Sequence, residues 1–184
     1  MDKNQLLEGV KSKLTSATEH FKQEIGKIRT GRAHPGMLDN IKPNVYGQEM
    51  LLKAVATIST PEPQLLQITP FDPNNLKAIS DAIRDDASLG LTPTDDGRVV
   101  RITIPPLTEE TRQQMAKILG QKVEECMIAA RNARHEAMRK ADEDKTLSKD
   151  ERFSLEKQVD DLLAKQKAEV EELAKAKEKE ILTV

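Results

Sequence analysis

The clearest chemical capacity in the chain lies in the run Ala129-Ala130-Arg131-Asn132-Ala133-Arg134-His135-Glu136-Ala137. On a helix with Ala130 at zero, Ala133 and Ala137 fall within about 60° on one side, Arg134 about 40° on the other and Arg131 about 100° away. Arg134 therefore borders an apolar seam, Arg131 points further towards solvent, and Asn132 takes a different direction again. Guanidinium groups on a rigid helix suit phosphate recognition, because their planar donors bind oxygens in pairs. The competing use of the same arginines is to pair with an acidic neighbour or to solvate the helix surface. This stretch has no aromatic side chain on which unstacked bases could stack, so any RNA contact would be to phosphates and folded shape.

No catalytic constellation accompanies these cations. His20, His34 and His135 belong to different segments and lack metal-site spacing, so no metal and no cofactor are expected. There is no phosphate-binding loop, no Gly-x-Ser-x-Gly and no dinucleotide fingerprint. The acidic pairs Asp85-Asp86 and Asp95-Asp96 read as solvated carboxylates at a helix end and a turn. Cys126, the only cysteine, falls in register with the apolar seam and reads as a small core residue. A single cysteine forms no intramolecular disulfide and suits a reducing compartment. The start Met-Asp-Lys-Asn-Gln lacks a signal-peptide apolar run, and no stretch of about 18 apolar residues could span a bilayer. A cytoplasmic protein with no membrane partner is expected.

Holding a cationic edge requires long, rigid elements, and the composition permits them. The 184 residues allow one large or two small domains. Apolar residues make up 37% and aromatics only 2%, so a core must be aliphatic. The 29 basic and 31 acidic residues nearly cancel, but locally they do not. From Arg112 to Lys140 seven Lys or Arg face three Glu, whereas from Ala141 onward nine basic residues face thirteen acidic ones. One helix is thus a cationic surface beside an acidic neighbour.

Three helical patterns carry this surface. Asp2 to Arg29 has apolar residues at Leu6, Leu7, Val10, Leu14, Ala17, Phe21, Ile25 and Ile28, one side of a rod about 42 Å long. Thr108 is placed to cap a second helix, Thr108 to Lys145, with Glu109 and Glu110 in its first turn. Its seam runs Met115, Leu119, Val123, Cys126, Ala130, Ala133, Ala137, Ala141, and the small residues in the lower half invite close helix approach. Ser148-Lys149-Asp150-Glu151 has the form of a capping box and opens a third helix, with Leu155, Val159, Leu162, Val170, Leu173 and Ile181 in register and Gln166 interrupting. The short connection predicts that helices two and three are antiparallel, and helix one completes a three-helix bundle.

All nine prolines lie between Pro35 and Pro106, which marks residues 31–105 as an inserted module and leaves 1–30 and 106–184 to the bundle. Strand-length runs, Asn44-Val45-Tyr46, Met50-Leu51-Leu52, Val55 to Ile58, Leu65 to Thr69, Leu91 to Thr94 and Arg98 to Ile104, surround one amphipathic helix, Asn74 to Ala87. Asp95-Asp96-Gly97 is a turn signal between the last two strands. A small α+β sandwich follows, joined through Thr30, Gly31, Arg32 and Ala33 on the way out and Pro105, Pro106 and Leu107 on the return. Two short connections make an articulated elbow, in which Gly31 serves either backbone rotation or a tight turn.

Several motifs together resemble the bacterial ribosome recycling factor family: Lys27-Ile28-Arg29-Thr30-Gly31-Arg32-Ala33, Leu89-Gly90-Leu91 with Pro93, Ile104-Pro105-Pro106-Leu107-Thr108-Glu109-Glu110, and Arg131-Asn132-Ala133-Arg134. They follow in order over the whole chain. The resemblance implies an L-shaped α+β protein, a three-helix bundle and a small β/α/β domain joined by a hinge. It implies a monomeric, non-enzymatic translation factor that binds the large ribosomal subunit across the A and P sites. With elongation factor G and GTP, such a factor splits the post-termination ribosome. By motif position, Arg29, Arg32, Arg112, Arg131, Asn132 and Arg134 would face ribosomal RNA. Thr111 and His135 depart from the pattern, since relatives often carry arginine at both places. The alternative is a helical adaptor that binds protein and no RNA.

Overall fold

The computed structural model of the chain describes residues 2–87 and 89–183. Contacts divide it into two compact units, residues 1–30 with 109–184 and residues 31–108.

The larger unit contains α1 (Lys3–Gly26), α4 (Glu109–Glu143) and α5 (Lys149–Leu182). Helix α5 opens with the expected capping box: Glu151 N donates to Ser148 Oγ at 3.2 Å and Ser148 N donates to Glu151 Oε2 at 2.8 Å. Helix α1 ends three residues before Arg29. There Lys27 N and Ile28 N bond back to Glu24 O and Ile25 O, a tightened last turn that still buries Ile28. Lys13 pairs with Glu136 and Lys122 with Glu24, so α1 and α4 run antiparallel. Ala137 and Ala141 cluster with Leu155, whereas Leu119 and Cys126 cluster with Val170 and Ile181, so α4 and α5 are antiparallel as well.

Two apolar clusters fill the bundle. One joins Leu6, Val10 and Leu14 to Ala130, Ala133, Ala137 and Ala141 of α4 and to Leu155 and Val159 of α5. The other joins Phe21, Ile25 and Ile28 to Leu119, Cys126, Val170 and Ile181. Gln166, the residue that interrupts the α5 pattern, lies between them and is 6% exposed. Its Nε2 donates to Leu14 O and to Thr18 Oγ1, both at 3.1 Å, while its Oε1 has no partner among the described residues. A buried amide keeps its place here through one satisfied end.

The smaller unit is built on a four-stranded antiparallel sheet of order β3-β4-β6-β5, with β3 Ala56–Glu62, β4 Leu65–Pro70, β5 Pro93–Asp95 and β6 Val100–Thr103. Leu66 pairs with Ile102 and Ile68 with Val100, so the fully buried side chains alternate onto one face. Ile79 and Ile83 of α3 (Leu76–Asp85) pack against that face. A separate two-stranded ribbon, β1 (Asn44–Val45) and β2 (Gln48–Glu49), completes the unit. The α+β class is as expected, but two elements differ in detail. Met50-Leu51-Leu52 forms no strand; Leu52–Val55 is a helical turn, α2, because Leu52 and Val55, three apart, both enter the core. The helix expected from Asn74 starts at Leu76, after a 3₁₀ turn capped by Asp72, whose Oδ1 accepts from Asn74 N at 3.0 Å.

Both connecting segments are tied into the smaller unit at the β3–β4 turn. Ala33 N donates to Pro63 O and Ile104 N to Gln64 O, each at 2.7 Å. Gly31 has φ +73, and a Cβ there would lie 3.2 Å from Leu107 N and 3.3 Å from Leu107 Cγ. The left-handed backbone favours glycine at this position, and a side chain there would press on Leu107.

Candidate nucleic-acid interface

Helix α4 displays its arginines because its opposite side is committed to the core. Ala130, Ala133 and Ala137 are 4%, 4% and 5% exposed, which fixes the rotation of the helix and leaves Arg131 and Asn132 outward. Arg134, one step off the seam, is half-buried with 36% of its side chain exposed. The angles read from the sequence thus describe the helix as it is.

Neither arginine is idle. Arg134 Nε donates to Asp160 Oδ1 at 2.7 Å and its Nη2 to Glu156 Oε1 at 2.9 Å, both carboxylates belonging to α5. Arg131 Nη2 pairs with Glu124, seven residues earlier on the same face of the helix, and its Nε lies 3.4 Å from Met127 O. The pairing use of these side chains is therefore real. Geometry leaves room for the other use as well. In Arg134 the carboxylates take one edge of the guanidinium, and the Nη1 donors remain available for oxygens on the far edge.

The remaining candidate cations behave differently. Arg29, just beyond α1, is exposed, and Arg112, in the first turn of α4, is half-buried; neither forms an ion pair among the described residues. Both lie at the end of the bundle where Ile28 and Met115 share a cluster. Arg112 and Arg131 are separated by about 28 Å along the α4 axis. Arg32 is exposed and belongs to the smaller unit, where seven basic residues face nine acidic ones. The bundle thus brings Arg29 and Arg112 to one end and Arg131, Asn132 and Arg134 to the middle of one helix. Thr111 is half-buried and His135 exposed.

Known proteins place the chain in a family. The family model described as "Ribosome recycling factor" matches residues 21–182. The ribosome-recycling factor of Halalkalibacterium halodurans is 42% identical over 183 residues, covering 98% of each chain. The chain belongs to the ribosome recycling factor family. The ribosome-recycling factor of Roseiflexus sp. (strain RS-1) is 40% identical over 184 residues, covering 98% of this chain and 99% of that one. A solution structure of a ribosome recycling factor superposes with TM-score 0.82 at 35% identity, covering 100% of this chain and 99% of that one. A second, the T. thermophilus ribosome recycling factor described with E. coli elongation factor G on the E. coli post-termination complex, gives TM-score 0.66 at 36% identity over 99% and 100% of the two chains.

The contacts around Arg134 involve two residues that the sequence pattern does not single out. Glu156 and Asp160 were visible only as members of an acidic helix, yet a signal for their role was present. With a connection centred near residue 146, antiparallel packing sets position 134 opposite position 158, and these two acids straddle it. The sequence pattern puts Tyr46 in a strand, but it occupies the β1–β2 turn at φ 52 and is 69% exposed. Its hydroxyl donates to Asp72 Oδ2 at 2.8 Å and accepts from Asn75 Nδ2 at 3.3 Å, which holds a bulky side chain in a left-handed conformation. Cys126 is 5% exposed, its Sγ lies 3.7 Å from Ala17 O, and burial pushes its thiol pKa up, as suits a core residue. Among the described residues no group of three or more His, Cys, Asp or Glu could hold a metal ion, and no helix is long and apolar enough to cross a membrane.

Proposed function

We propose that this protein recycles ribosomes in the cytoplasm: it binds the large subunit of the post-termination ribosome across the A and P sites. With elongation factor G and GTP it promotes dissociation into subunits. The single observation that carries the reading is full-length membership of the recycling factor family by a chain whose bundle fixes an arginine-bearing helix. The bundle supplies the RNA-facing groups, Arg29, Arg112, Arg131, Asn132 and Arg134, with Arg32 contributing from the smaller unit. Phosphate oxygens take donors of the guanidinium groups, and contacts spread along a rigid helix select a folded RNA surface over a flexible strand.

No covalent chemistry is assigned to the chain; GTP hydrolysis belongs to elongation factor G. The chain acts as a monomer, its two units articulating at a hinge formed by Thr30, Gly31, Arg32, Ala33, Pro105, Pro106 and Leu107. The partner GTPase moves the smaller unit while the bundle stays on RNA. The test is light scattering of post-termination 70S complexes mixed with this protein, elongation factor G and GTP. Dissociation that requires all three components supports the reading, and scattering unchanged by the protein refutes it. Gly31→Pro in the same assay is expected to slow splitting more than it weakens large-subunit binding; normal splitting would remove the hinge from the mechanism.

A further inference from the structure

Two of the three candidate RNA-facing arginines of α4, Arg131 and Arg134, are tied to carboxylates, whereas Arg112 and Arg29 form no ion pair among the described residues. At Arg134 the imbalance is larger than neutrality requires: one guanidinium faces two carboxylates, so the triad of Arg134, Glu156 and Asp160 carries a net negative charge. All three side chains reach solvent, at 36%, 50% and 51% exposure. An isolated phosphate approaching the open Nη1 edge of Arg134 therefore meets a donor set in an unfavourable field. Pairs this exposed are individually weak, so a surface that gains several contacts at once can still displace or share them.

We propose that Glu156 and Asp160 form an electrostatic mask over Arg134, a specificity device that suppresses binding of flexible single-stranded RNA and is overcome by a rigid, folded surface that engages several of the chain's cations together. The inference rests on the recycling reading, because it presumes that Arg134 meets ribosomal RNA. Its consequence is a difference between targets. Removing the mask strengthens binding to flexible, non-cognate RNA more than binding to the large subunit, since a rigid surface also uses the orientation that the two carboxylates give the Arg134 guanidinium and loses it with them.

The test compares the wild-type protein with Glu156→Gln/Asp160→Asn on single-stranded poly-uridine RNA and on purified large subunits at fixed salt. The expected gain on poly-uridine is about three- to ten-fold, the size set by two exposed pairs, with a smaller gain on large subunits. Two controls isolate the cause. Asp161→Asn/Glu172→Gln makes the same change in net charge at two exposed α5 carboxylates that form no ion pair among the described residues, and is expected to give less than half that gain. Adding Arg134→Ala to the double variant is expected to abolish the gain. Equal gains from both double variants, a gain that survives Arg134→Ala, or a loss of binding in place of a gain would each overturn the mask. Loss of large-subunit binding in the double variant would instead make the two acids positioning groups for Arg134. A wild-type protein that ignores large subunits would bring down the recycling reading and the mask together, whereas normal large-subunit binding without a gain on poly-uridine removes the mask alone.

Discussion

The first and second halves of α4 solve the same packing problem with side chains of different size. Near its start, Met115, Leu119 and Val123 pack with Phe21, Ile25 and Ile28 of α1, and a cleft of about 240 Å³ opens beside Cys126 and Ala129, lined also by Ala17, His20, Phe21 and Lys122. Near its end, Ala130, Ala133, Ala137 and Ala141 replace the larger residues, small side chains that permit close helix approach, and Lys13 and Arg134 bridge α4 to α1 and α5. The cations outside the seam divide within each half. In the first, Arg112 forms no ion pair among the described residues, whereas Lys122 reaches Glu24 of α1 at 3.3 Å; in the second, Arg134 lies within hydrogen-bond reach of two carboxylates from α5. The size of the seam residues sets the packing, and the acids on the facing helix set which cation is held.

Deleting the largest side chain that α1 packs against the first half has the largest expected effect. Phe21 is 2% exposed, so Phe21→Ala should cost about 3–5 kcal/mol in a denaturant titration; a loss below about 1 kcal/mol would show that the first half does not depend on large residues. The converse change, Ala130→Leu, inserts volume where the helices are close. It should cost about 1–3 kcal/mol by overpacking, and the Arg134–Asp160 contact should loosen, visible as faster exchange of the Arg134 side-chain protons by NMR. A stabilising Ala130→Leu would mean that the second half is not closely packed.

The smallest expected effect concerns pH. Glu136 in the second half is held well below the usual carboxylate range, from 4.5 to about 2, first by its bond to Lys13 of α1 and then by Lys140. A depressed carboxylate contributes stability above its ordinary pKa and loses it as pH falls through the folded value. Acidification from about pH 4.5 to pH 2 should therefore release the Lys13–Glu136 link, and Glu136→Gln should flatten that part of the pH profile. A profile unchanged by the substitution would remove this link from the comparison.

Much of this architecture was legible in the sequence because it rests on periodicity. Steps of three and four identified the helices, the alanine run announced close packing, and the prolines marked where a different kind of packing begins. What was not legible depends on contacts across chain segments. Gln166 looked like a break in a helix pattern because its burial is justified only by Leu14 O and Thr18 on another helix. Leu51 and Leu52 looked like strand because a single helical turn is too short to show a period. The cationic edge could be placed from angles alone, but its partners required the register between α4 and α5, which the sequence sets only through the length of their connection.

The central claim is that the arginines of the bundle meet ribosomal phosphates, and the salt dependence of large-subunit binding tests it most directly. Binding should weaken steeply with salt, and Arg112→Ala and Arg134→Ala should each lower affinity and reduce the log–log salt slope by about one. An affinity and slope unchanged by both substitutions would contradict the account and leave these arginines as parts of the bundle surface alone.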